Sequence, residues 1–179
     1  MEYSRQAIRI NDHSDIQQVL KALSGVRDLV VVNIAASAET KPVLFSEENL
    51  HAILACAPES LFLEGLPVGE YKKLVGDRID QAVQSTVSLR AMLCTHFVAE
   101  LAVQVREFVA KLDQILPLLN CYALQKAGSG VAENVQMLRN SLGQLTASCC
   151  EHGDNVRCMD DLQYEILPSL KRLLKLLRK

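Results

Sequence analysis

The sequence predicts an α+β protein: a small N-terminal α/β unit over residues 1–72, then an antiparallel three- or four-helix bundle over residues 73–179. Three observations lead there. Strand-like and helix-like apolar patterns alternate through the first ~70 residues. After Gly76-Asp77, Leu, Val and Ile recur every three or four places, the spacing of one helix face. Aromatic residues are scarce, with four Phe, four Tyr and no Trp. Aliphatic side chains must therefore fill the core, as they do in helical bundles.

The elements follow in chain order. Ala7-Ile8-Arg9-Ile10 alternates like a strand. Ser14-Asp15-Ile16-Gln17 has the form of a capping box. Ile16, Val19, Leu20 and Leu23 then step at helical spacing until Gly25 stops the helix. The run from Asp28 to Ser37, DLVVVNIAAS, is apolar and β-branched, hence a buried strand. After a polar connection, Val43-Leu44-Phe45 reads as a short strand that pairs back. Ser46, followed by Glu47 and Glu48, opens a helix that carries Leu50, Ile53 and Leu54 and ends before Pro58. Leu61-Phe62-Leu63 is the last strand expected, and Gly65, Pro67 and Gly69 predict a hinge after it.

Beyond that point the period is helical. Leu101, Val105, Phe108, Leu112, Ile115 and Leu119 form one stripe. Val131, Val135, Leu138, Leu142 and Leu145 form the next. Met159, Leu162, Ile166, Leu173 and Leu177 form the last, with Ser169 as a polar lapse. Gly128-Ser129-Gly130 and His152-Gly153-Asp154 separate the segments. Burying a single Leu contributes ~2 kcal/mol, so these stripes dominate the local energetics. The segment from Asp77 to Lys126 would run about 75 Å as one helix. Pro117 lies inside it, and an interior proline costs ~3 kcal/mol, so a kink near Pro117 is expected.

Composition narrows the function. The formal charge is −2, from 19 basic and 21 acidic residues. That balance speaks against a nucleic-acid partner, which calls for a basic excess on one face. The N-terminus has no apolar core of the signal-peptide type. No stretch approaches the ~18 apolar residues of a membrane span, so a cytoplasmic protein is expected. Most of the six cysteines sit in or beside apolar helical patterns, where the reduced side chain behaves as a small hydrophobe.

The stretch richest in reactive side chains is ASCCEHGDNVRCMDD, Ala147 to Asp161. Cys149, Cys150, His152 and Cys158 could serve a metal- or thiol-dependent (redox or zinc) module. Zinc sites usually pair their ligands as Cys-x-x-Cys or His-x(3–5)-His, and this spacing does not. The simpler reading continues the stripe through Cys149, turns at Gly153 and caps the next helix with Asp154 or Asn155. Cys94-Thr95-His96 invites comparison with phosphotransfer histidines, but Glu100 occupies the turn where a basic residue is wanted. No Gly-rich phosphate loop and no Gly-x-Ser-x-Gly elbow occur.

No catalytic residue and no cofactor are therefore assigned, which points to a non-enzymatic role. The function expected is a protein-interaction or oligomerisation module acting through apolar helix faces, with a protein partner or a second copy in a homodimer. Val83, Val87, Leu93, Leu174 and Leu176 are the candidate contacts. The basic, amphipathic residues 170–179 either close the bundle seam or, as the lesser reading, touch a membrane surface.

Overall fold

The structure, a computed structural model, describes residues 3–9, 16–26, 28–126, 128–149 and 153–178. It is α+β, with an antiparallel sheet of order β1-β4-β2-β3 and a larger complement of helices. The chain divides into two compact units, Met1–Lys73 with Pro117–Ser129, and Leu74–Leu116 with Gly130–Lys179.

The first unit holds β1 (Ser4–Arg9), α1 (Ile16–Ser24), β2 (Leu29–Ala35), β3 (Val43–Leu44), α2 (Glu47–Leu54) and β4 (Ser60–Pro67). The proposed strand residue Ile10 and the cap Ser14 lie outside the described residues. Ser46 caps α2 as anticipated, its hydroxyl accepting from the Asn49 amide at 3.1 Å. One sheet face carries Leu29, Val31, Ile34, Leu61 and Leu63, packed with Val19, Leu23, Leu50 and Leu54 of the two helices. This is the period of two acting with the helical period: each element buries the side its spacing makes apolar.

The expected hinge does not form. β4 continues through Gly65 to Pro67, and α3 (Val68–Leu93) begins at the next residue. Gly65 has another reason to be there. A Cβ on it would lie 2.4 Å from the Val30 carbonyl oxygen, so only glycine lets β4 approach β2 this closely. Pro67 ends the strand, where its missing N–H costs nothing, and Val68 donates instead to the Asp28 carbonyl at 3.1 Å.

The single long helix is replaced by three: α3, α4 (Ala102–Asp113) and α5 (Leu116–Gln125). The breaks fall between Leu93 and Ala102, where a 3₁₀ turn intervenes, and at Gln114 and Ile115. Pro117 is the second residue of α5, inside the first turn, whose amides have no helical partner in any case.

α5 belongs to the first unit, and its polar side chains show why. β3 pairs only with Asn33 and Ile34, which leaves the neighbouring edge of β2 bare at Leu29 to Val31. The Gln125 amide fills that gap as a peptide group of a further strand would. Its oxygen accepts from the Val31 N–H at 2.9 Å. Its nitrogen donates to the carbonyls of Leu29 at 2.8 Å and Leu23 at 3.2 Å. Beside it, the Cys121 thiol donates to the Phe45 carbonyl at 3.2 Å. The Tyr71 hydroxyl donates to the Leu118 carbonyl at 2.7 Å, and its ring stacks on Tyr122 with centroids 5.5 Å apart. Burial pushes the Tyr71 hydroxyl far above the usual tyrosine range.

In the second unit, α6 (Val131–Ala147) packs against α8 (Leu167–Arg178) and against the π-helical turn Asp161–Ile166 that precedes it. α7 (Asn155–Asp160) leads into that turn, capped by the Asp154 carboxylate, which accepts from the Arg157 amide at 3.0 Å. The π turn has a covalent cause. Pro168 has no N–H for the i→i−4 ladder, and just before it Leu167 donates to Leu162, five residues back. The repeated leucines do what their spacing implies: Leu138, Leu142, Leu145, Leu162, Leu170, Leu173 and Leu177 are all buried.

Candidate functional site

A concave surface of the second unit runs between α3 and α4. Two adjoining hollows, of about 290 Å³ and about 450 Å³, share Gln81, Ser85, Phe108 and Lys111 along their walls. They form one groove. Its floor is Ala82, Leu89, Phe108 and Ile115, all buried. Its rim is polar, with Gln84, Ser88 and Gln104. The local sequence explains the hollow. α3 turns small side chains, Ala82, Ser85 and Ser88, toward a stretch of α4 where Phe108 is the one apolar lining residue among Gln104, Glu107 and Lys111. The seam between the helices is not filled, and packed interiors elsewhere leave few such voids.

Several apolar side chains around this part of the chain face water. Val87 on α3 is 51% exposed, Met92 at the groove wall 39%, and Val103 on α4 61%. Phe97, between the two helices, is 76% exposed. Single exposed apolar residues are ordinary. Of these, Met92 alone lines the groove.

The five proposed contact residues part company here. Val83 and Leu176 are half-buried and Val87 is exposed. Leu93 and Leu174 are buried, at 3% and 9% exposure, because each completes its helix's inward stripe, so neither is available to a partner. The apolar face of α8 is likewise inside, through Leu170, Leu173, Leu174 and Leu177, while Lys171, Arg172 and Lys175 point outward. Among the described residues no helix is long and apolar enough to cross a membrane. Spacing alone did not reveal the groove-lining Gln81, Ser85, Ser88 and Gln104. The available signal was the recurrence of small and amide side chains at helical intervals on α3, where a packed seam would carry Leu.

The cysteine-rich segment is only partly described. Cys150 and His152 lie outside the described residues. Cys149 and Cys158 are buried, at 4% and 0% exposure, and beside them the buried Ser148 hydroxyl donates to the Asp161 carboxylate at 3.1 Å. Among the described residues, no three His, Cys, Asp or Glu side chains gather as a metal site would require. The other noted histidine, His96, is exposed at the surface. Its Nδ1 lies 2.8 Å from the Thr95 hydroxyl.

The first unit carries a separate hollow of about 300 Å³ on the sheet face opposite its core, lined by Ala7, Ala35, Phe62 and the loop from Ser37 to Pro42. Cross-strand pairing puts Ala7 and Ala35 on either side of Phe62. Two alanines where larger residues would fit leave the depression. Next to it the Glu64 carboxylate accepts from Arg5 Nε at 2.9 Å and from Asn33 Nδ2 at 3.4 Å.

No family model, curated protein or solved structure matches this chain.

Proposed function

We propose that the protein is a non-enzymatic interaction module that self-associates through apolar helix faces of its second unit. The helices of that unit act as an antiparallel bundle whose seam between α3 and α4 is left open for an apolar helix of a second copy. The observation that carries this reading is the groove itself: a buried apolar floor of Leu89 and Phe108 reached through an unfilled seam, with Met92 exposed at its wall. Covering apolar surface of this kind contributes roughly 25 cal/mol per Å², and dimers of one chain are the commonest soluble assemblies.

Sedimentation equilibrium tests it. A concentration-dependent dimer is expected, and Ser85→Arg, which adds bulk and charge at a half-buried position of the groove, is expected to shift the mass toward the monomer with the circular dichroism unchanged. A wild-type chain that stays monomeric up to the highest concentration reached refutes the reading. A stoichiometric metal ion on such a monomer would transfer support to the alternative centred on Cys149, Cys150, His152 and Cys158.

A further inference from the structure

We propose that the outer edge of β1 is the docking strand for an extended, acidic segment of a partner protein. Such a segment would lengthen the sheet and drop one large apolar side chain into the hollow beside Phe62. This surface lies wholly within the first unit and is independent of the groove between α3 and α4.

β1 is the terminal strand of the sheet and pairs on one side only, with β4, from Ser4 opposite Gly65 to Arg9 opposite Ser60. Among the described residues nothing pairs with its other edge. Its outward N–H and C=O groups are therefore a template for one more strand. The alternation of the strand decides what lies on each face. Gln6 and Ile8 stand opposite Leu63 and Leu61, on the core side. Arg5, Ala7 and Arg9 stand opposite Glu64, Phe62 and Ser60, on the side of the hollow. All three are exposed.

The charges select the occupant. Arg5 has its Nε on Glu64, yet its side chain remains 80% exposed, so the other guanidinium N–H groups face solvent. Arg9 is exposed and makes no ion pair among the described residues. A second copy pairing antiparallel about Ala7 would set Arg5 against Arg9, and like charges directly opposite destabilise a strand pair. The same two arginines favour a segment with an acidic residue at each end of a five-residue stretch and a large apolar residue at its centre, over Ala7. Backbone pairing would supply affinity, and the hollow and the arginines would supply specificity.

A labelled peptide, fluorescein-Gly-Glu-Thr-Leu-Thr-Glu-Thr-amide, is the probe, with fluorescence anisotropy on the full chain as the readout. Saturable binding that weakens with added salt is expected. Binding should fall when the Leu is replaced by Gly, when the Glu residues are replaced by Lys, and when alternate peptide nitrogens are methylated to block strand pairing. Arg9→Glu, at an exposed position, should weaken binding by about two- to fivefold, the scale of one opposed cross-strand charge pair. Amide exchange should slow at β1 alone. Absence of saturable binding, equal binding of the Lys peptide, or equal binding of the methylated peptide overturns the proposal. Circular dichroism of the Arg9→Glu protein guards against a folding defect, and Arg9→Gln provides a milder second variant. Because Ser85→Arg touches only the other unit, it should leave peptide binding intact, so failure of this proposal and failure of self-association are read separately.

Discussion

Replacing Gln125 tests the central claim about the first unit, that one side-chain amide completes an edge of the sheet. Gln125→Leu keeps the side chain's bulk and removes both ends of the bridge. It strands the Val31 N–H, now held at 2.9 Å, and the Leu29 carbonyl, now held at 2.8 Å. Each is a buried backbone group, and a buried group left without a partner costs ~1–3 kcal/mol. The loss is then ~2–6 kcal/mol, a large part of the ~5–15 kcal/mol that holds an average domain folded. Gln125→Glu separates the two ends. The acceptor for Val31 survives, but the donor becomes a carboxylate facing the carbonyls of Leu23 and Leu29. Those oxygens repel the ionised form, so the carboxyl's folded pKa lies above the ~4.3 of an unfolded Glu. A group raised in this way destabilises progressively as pH climbs through that range and ceases to do so below it. Urea denaturation followed by circular dichroism at neutral pH and near pH 4 is the assay. Gln125→Leu is expected to be much weaker than wild type at both. Relative to wild type, Gln125→Glu should be weak at neutral pH and recover in acid. A Gln125→Leu protein within ~0.5 kcal/mol of wild type, the scatter of an ordinary surface change, refutes the bridging role.

Three further outcomes are expected. Gly65→Ala should lower stability by ~3 kcal/mol in a thermal melt, the upper end for forcing atoms into a packed interior, since its Cβ meets the Val30 carbonyl oxygen at 2.4 Å; a melt superimposed on wild type contradicts the close approach of β4 to β2. Burial pushes the Cys121 thiol from the usual 9.0 up to about 12, whereas Cys56 and Cys94 are exposed. Brief alkylation at pH 8 followed by mass spectrometry should therefore mark Cys56 and Cys94 and spare Cys121. The stability that the protonated Cys121 thiol contributes is complete below pH 9.0 and is lost as pH rises toward about 12. In Cys121→Ala the alkaline fall should accordingly be shallower.

The gross architecture was legible because it rests on periods. DLVVVNIAAS could be read as a strand from β-branching alone, and Ser46-Glu47-Glu48 as a helix start from capping chemistry. The inward leucines of α6 and α8 followed from their spacing. The hinge misled because glycine and proline were read as breakers, when their effect depends on position; the segment from Asp77 to Lys126 breaks at Gln114 and Ile115, just before Pro117, and again between Leu93 and Ala102, where no proline stands. Gly65 serves a close strand contact, and Pro117 sits in a first turn that tolerates it. Of the candidate surface, Val87 could be found from sequence as an apolar residue on the helix face. Leu93 and Leu174 could not be told apart from it, since spacing says that a residue is apolar on a helix and not whether a neighbour covers it.

The sequence by itself determined which segments coil and which extend, and which side of each must leave water, because those depend on near neighbours along the chain. Only the tertiary structure decided that α5 returns to the sheet, since Gln125 meets β2 at Val31, 94 positions away in sequence. It alone likewise decided that the seam between α3 and α4 stays open. Both turn on partners distant in sequence and on side-chain volumes summed across a contact, and neither leaves a trace in the local pattern.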